Sequence, residues 1–149
     1  MRVLVQRSLA SNVSVNNEIC GKISKGFVVL VGFTYGDTEK EIDYLVNKII
    51  NLRVFEDDLG VMNKSILDTG GEILSISQFT LYADTKKGNR PSYIKALKSD
   101  EANALYNLFN QKLSAHINVQ TGVFGADMLV SIKNDGPTTI LLEKEANND

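Results

Sequence analysis

The run Phe27-Val28-Val29-Leu30-Val31-Gly32-Phe33 carries no charged or hydrogen-bonding side chain. A strand with one wet face alternates apolar and polar residues. An unbroken apolar run of this length, opened by Gly26, therefore predicts a central strand covered on both faces. Such a strand needs neighbours in its sheet and layers on either side. Residues 2–9 read as a strand with apolar residues on both faces at its start. Val13 and Val15 continue a period of two, and Asn16-Asn17 marks a turn, so residues 11–15 and 18–24 are predicted to pair as a hairpin. Thr38 and Glu41 have capping-box spacing, and Ile42, Leu45, Val46, Ile49 and Ile50 recur at helical spacing, which predicts a helix over 38–52.

Val54-Phe55 opens a short strand, residues 56–60 form a polar turn, and residues 63–71 read as an irregular connection. Residues 72–79 are the next strand. Pro91 suits the first position of a short helix through Ile94 and Leu97. Ser99 is predicted to cap a longer helix, with Asp100 and Glu101 in its first turn and Ala102, Leu105, Tyr106, Phe109 and Leu113 as its buried stripe. Residues 119–121, 128–133 and 138–142 complete the strands. This order predicts an α/β fold: mixed β-sheet layers with two main helices packed on them. The 149 residues fit one domain with its own core, over 1–143, followed by a polar C-terminal tail at 144–149.

The single cysteine, Cys20, excludes an internal disulfide and fits a reducing compartment. Its apolar neighbours suggest a buried strand residue rather than a nucleophile. The N-terminus lacks a secretory pattern and no run could span a bilayer, so a cytoplasmic protein with no membrane partner is expected. The formal net charge is −2, so any contact with nucleic acid must come from a local patch.

Two stretches stand out chemically. One is Asn134-Asp135-Gly136-Pro137-Thr138-Thr139, which places one of only two prolines between β-like runs. It reads either as a hairpin turn built on Asp-Gly or as a backbone shape that ordinary residues would not adopt. The other is Ser77-Gln78-Phe79-Thr80-Leu81, where an apolar strand ends. It is either a polar strand end or a pocket wall whose backbone N–H groups face a developing oxyanion, with the Thr80 hydroxyl beside them. Lys86, Lys87, Arg90, Lys95 and Lys98 follow with no acidic residue between 86 and 98, which is either a solvated loop or a patch for phosphate or an RNA end. The only histidine, His116, is expected to be solvated at a helix end. No nucleophile elbow, P-loop or metal-ligand spacing is present.

Together these stretches resemble the D-aminoacyl-tRNA deacylase family, also described as D-tyrosyl-tRNA deacylases. Ser77-Gln78-Phe79-Thr80 matches one family motif and Asn134 to Thr139 the other, with Thr138 where valine is usual. Gln6-Arg7, Ala83-Asp84-Thr85, Gly88 to Ser92, Gln120 to Phe124 and Ala126 to Met128 match as well. The resemblance implies a deacylase-like fold, no cofactor and no metal. It implies a homodimer with its active sites at the subunit interface, and a hydrolase cleaving the ester of D-aminoacyl-tRNA and of mischarged glycyl-tRNA. The Gly136-Pro137 peptide would be cis, would reach the partner's Ser77 to Thr80 stretch, and would reject L-aminoacyl-tRNA. Arg7 would support that turn, and Lys86, Lys87 and Arg90 would contact tRNA. Catalysis would come either from Thr80 as nucleophile or from the substrate 2′-OH, aided by backbone N–H groups at Phe79 and Thr80. A non-catalytic RNA-binding module remains the alternative.

Overall fold

The computed structural model describes residues 1–146; residues 147–149, the end of the expected polar tail, lie outside it. Four strands come first: β1 (Arg2–Ser8), β2 (Ser11–Val15), β3 (Glu18–Ile23) and β4 (Gly26–Gly32). Helix α1 (Glu39–Asn51) follows, then the short β5 (Phe55–Glu56) and β6 (Met62–Lys64), and a one-turn α2 (Ile66–Thr69). Strand β7 (Glu72–Ser77) runs into a 3₁₀ turn at Phe79–Tyr82. After a long connection come α3 (Ser99–Ser114), β8 (Val119–Thr121), β9 (Leu129–Ser131) and β10 (Asn134–Glu143).

The main sheet has the order β10-β1-β4-β7-β8, with the apolar run as its middle strand. β4, β7 and β8 are mutually parallel, whereas β1 is antiparallel to both of its neighbours. Side chains alternate along β4 into two cores. Phe27, Val29 and Val31 pack with Ile42, Leu45 and Ile49 of α1 and Phe109 of α3. Val28 packs with Val13, Ile23, Leu74 and Ile76 beneath the second sheet, β3-β2-β9. Helices, five-stranded sheet and three-stranded sheet thus form three layers, in agreement with the predicted α/β architecture.

Local chemistry fixes the ends of these elements. Thr38 caps α1, and its N–H and hydroxyl both donate to Glu41, at 2.7 and 2.8 Å. Asn16 and Asn17 take positive φ, 51° and 66°, and close the β2–β3 hairpin. Lys112 of α3 lies 2.6 Å from both Glu39 and Asp43 of α1. The Met1 amine lies 2.9 Å from Asp37 and donates to the Lys144 carbonyl, while the Lys144 N–H donates back to Met1. The first residues of the expected tail are therefore tied to the start of the chain. Among the described residues no helix is long and apolar enough to cross a membrane.

Several local expectations fail, each for a physical reason. The segment after Pro91 is not helical, because the end of β4 recruits it. Phe33 accepts from the Leu97 N–H at 3.0 Å, and the Thr34 hydroxyl donates to the Lys95 carbonyl at 2.6 Å. Ser99 is the first residue of α3 rather than its cap; Lys98 holds the cap position without a side-chain bond. The supposedly irregular 63–71 stretch contains α2, with a Ser65–Asp68 capping box and Gly70 at φ 68°. Cys20 is exposed, because on edge strand β3 it is Gly21 and Ile23 that face inward. β9 and β10 lie in different sheets, so the Gly-Pro stretch is not a hairpin turn.

Candidate active site

Parallel β4 and β7 run in register from Gly26↔Glu72 to Val31↔Ser77 and end side by side. Crevices outside the carboxyl ends of such strands are the usual ligand sites of α/β sheets. A cleft of about 580 Å³ opens there, between the ends of β4 and β7, the start of α3 and the 124–130 segment. Ser77, Gln78 and Phe79 line it together with Phe33, Tyr93 and Phe124.

The chain leaves the ladder at Gln78, whose N–H donates to Val31 at 2.7 Å. It then winds into the 3₁₀ turn, closed by Leu81 N–H to Gln78 at 3.3 Å and Ala83 N–H to Thr80 at 3.1 Å. The first N–H groups of any such turn, here those of Phe79 and Thr80, have no carbonyl within it to donate to. Phe79 is 57% exposed, and its ring meets Tyr93 edge-on at 5.0 Å. The Gln78 side-chain amide donates to the Thr80 hydroxyl. Thr80 lies one position beyond the cleft wall, and its hydroxyl has no carboxylate, imidazole or amine partner among the described residues.

The Gly-Pro stretch is built differently. β1 pairs with β10 at Gln6↔Thr139 and again at Ser8↔Asn134, so residues 135–138 bulge out opposite Arg7 alone. The Gly136-Pro137 bond is cis, and both residues are exposed. Gly136 has φ 115°, and a Cβ there would lie 2.7 Å from the Thr138 hydroxyl oxygen and 3.0 Å from a guanidinium nitrogen of Arg7. Arg7 is only 8% exposed, donates to the Val54 carbonyl at 2.6 Å and lies 3.4 Å from the Asp135 carboxylate. Asn134 closes the bulge. Its amide donates to the Arg7 and Thr138 carbonyls, both at 3.1 Å, and its side-chain oxygen accepts from Gln6 and Thr139.

Sheet register sets the relation between the two stretches. The bulge lies level with Phe27 and Gly26, where β4 begins, whereas the cleft lies beyond Val31, where β4 ends. Five to six residues of strand separate them along the sheet, roughly 17–20 Å at about 3.3 Å each. Neither Gly136 nor Pro137 lines the cleft of its own chain.

The basic loop begins right after the 3₁₀ turn. Asp84 and Ser92 pinch its base with two 2.8 Å backbone bonds. Lys86, Lys87 and Arg90 are exposed on it, and Lys95 pairs with Asp84 at 3.5 Å. Hydrogen bonds, chiefly from the Lys86 N–H, hold the Asp84 carboxyl below the usual range. His116 is remote from the cleft, in a shallow pocket with Asp43 and Lys112. Among the described residues no three His, Cys, Asp or Glu side chains come together as a metal site.

Residues 4–143 match the family described as D-Tyr-tRNA(Tyr) deacylase. The chain belongs to this deacylase family. Two deacylase relatives, each named D-aminoacyl-tRNA deacylase, are 55% identical. One, from Limosilactobacillus reuteri (strain DSM 20016), aligns over 97% of this chain and 100% of its own. The other, from Clostridium novyi (strain NT), aligns over 97% and 98%. A solved structure named c-Myc DNA Unwinding Element Binding Protein superposes with a TM-score of 0.93 at 43% identity, covering 98% of this chain and 100% of that one. Within the cleft, Phe124 through Met128 form much of one wall, and sequence reasoning assigns them no role there. The available signal is a second glycine-rich break: Gly125 has φ 76°, and a Cβ on Gly122 would meet the Met128 sulfur.

Proposed function

We propose that the protein hydrolyses the ester joining a D-amino acid to the 3′ end of tRNA. The observation that carries this reading is a cleft lined by Gln78 and Phe79, beside which the N–H groups of Phe79 and Thr80 open the 3₁₀ turn with no acceptor, and Thr80 has no side-chain base, among the described residues. Such donors suit the oxyanion that forms when an ester carbonyl is attacked; losing one typically costs about 10²–10³ in rate. A threonine nucleophile needs an activating base. Among the described residues only the Gln78 amide bonds the Thr80 hydroxyl, and an amide N–H cannot take its proton. The neighbouring ribose 2′-OH of the substrate therefore assists the attacking water, the tetrahedral intermediate rests on the Phe79 and Thr80 N–H groups, and the ribose 3′-oxygen leaves.

The protein works as a homodimer in this reading. Gly136-Pro137 stands at the far end of the sheet from its own cleft, exposed and braced by Arg7 and Asn134. A rigid, exposed turn of this kind suits insertion into the cleft of a second copy beside Ser77 to Thr80. Backbone atoms there would hold the substrate amino group and leave no room for an L side chain. Glycine has no side chain to exclude, so glycyl-tRNA is a second substrate. Lys86, Lys87 and Arg90 meet the tRNA phosphates, and neutralising any one of them should lower the salt slope of binding by about one.

The test compares D-Tyr-tRNA, L-Tyr-tRNA and Gly-tRNA hydrolysis by wild type and Thr80→Ala. Cleavage of the D- and glycyl esters alone, kept within a few-fold by Thr80→Ala, is the expected result. Inactivity of a folded Thr80→Ala would restore Thr80 as the nucleophile. Binding without turnover by wild type would make the protein an RNA-binding module instead.

A further inference from the structure

We propose that Arg2 is a positioning residue for this hydrolysis, holding the Phe79–Tyr82 turn and hence the N–H groups of Phe79 and Thr80 at the cleft. The inference rests on the proposed deacylase reaction. A 3₁₀ turn of four residues has weak bonds of its own, so its position comes from what it packs on.

Three interactions fix it. At its entry, Gln78 N–H donates to the Val31 carbonyl at 2.7 Å. Beneath it lies Gly32, where a Cβ would stand 2.8 Å from the Gln78 carbonyl oxygen and 3.1 Å from the Leu81 Cβ; the turn rests on bare backbone. At its exit, a terminal guanidinium nitrogen of Arg2 donates to the Leu81 carbonyl at 2.7 Å. The same guanidinium covers the Tyr82 ring at 4.4 Å. The first is a backbone bond, and the second depends on Gly32 having no side chain at all. Among the described residues, Arg2 is the one side chain that bonds the backbone of the turn from outside it; Glu145 reaches only the Tyr82 hydroxyl, at 3.5 Å.

The competing role for Arg2 is a cross-strand pair with Glu143, its register partner on β10. That pair is 3.7 Å apart with both side chains partly exposed, and exposed pairs contribute little. The Arg2 Nε is buried without a hydrogen bond, so the geometry favours Leu81 over Glu143. Burial raises the Tyr82 hydroxyl well above its usual range, keeping the ring a neutral platform for the guanidinium. Charged groups also near this corner are Asp37 and Glu145, the latter accepting from the Tyr82 hydroxyl at 3.5 Å.

The experiment measures kcat and KM on D-Tyr-tRNA for wild type, Arg2→Ala, Arg2→Lys and Glu143→Gln, with amide exchange of Ala83 as a report on the turn. Displacing a reacting group by a fraction of an ångström is expected to lower kcat about tenfold in Arg2→Ala, with KM within about twofold. Exchange at Ala83 should quicken, added guanidinium should restore part of kcat, and Glu143→Gln should match wild type. Arg2→Lys, which keeps the charge but cannot both bond Leu81 and cover Tyr82, should lose at least about threefold in kcat. Wild-type kcat in a folded Arg2→Ala or Arg2→Lys overturns the proposal, as does an equal loss in Glu143→Gln. An inactive wild type instead overturns the deacylase reading, and the role of Arg2 with it.

Discussion

At Gly136 the backbone has φ 115°, where an L side chain is strained, and the site of a Cβ is already occupied by Thr138 and Arg7. Gly136→Ala should therefore move the bulge. Expected effects are a stability loss of roughly 1–2 kcal/mol in urea unfolding and a fall of about 10² in D-ester hydrolysis. Retained activity with retained D/L discrimination would remove this turn from the chemistry. Gly136 and Pro137 could be read from sequence because their backbone preferences are intrinsic. The place of Arg7 beside them was implied by the family resemblance alone. That Arg7 faces four bulged residues depends on the pairing of β1 with a strand about 130 positions away, and nothing local encodes it. Cys20 failed for the same reason, since whether it faces in or out depends on which strands flank β3.

Elements were legible where signals were local and redundant. α1 has a capping box and an apolar stripe, and it matched its expectation to within a residue at each end. The segment after Pro91 had one signal, and two bonds to the end of β4 outweighed it. Two predictions belong to this scale. Phe79 opens the 3₁₀ turn, where proline is tolerated. Phe79→Pro should keep the fold yet lower kcat about 10²–10³ by removing one N–H; Phe79→Ala controls for the ring, and equal rates in the two variants would exclude the N–H from catalysis. For α1, burial pushes the Glu41 carboxyl up, but bonds from Thr38 more than offset this, and it titrates below the usual glutamate range. A lowered carboxyl contributes stability above its unfolded pKa and loses it as pH falls through the folded value. Thr38→Ala should be about 1 kcal/mol less stable at neutral pH, with the gap narrowing once pH falls below the glutamate range. Urea titrations at both pH values check the sign.

The three-layer architecture followed from one doubly buried strand, but the separation of bulge and cleft emerged only from the register of the whole sheet. If each active site draws on two chains, two crippled subunits can rescue each other. Gly136→Ala and Phe79→Pro proteins, each weak alone, should regain about a quarter of wild-type activity after unfolding and refolding together. Half of the randomly assembled dimers would be mixed, and each would hold one intact site. No gain on mixing would mean that both stretches serve the same chain.

β1 lies between β4 and β10, so it leaves the ribosome long before one of its two partners. Until residues 134–143 emerge, β1 has an open edge, and an open edge is a template for other chains. Chains cut short before Asn134 should therefore aggregate rather than persist as soluble fragments, and a prematurely terminated message should yield no partly active product.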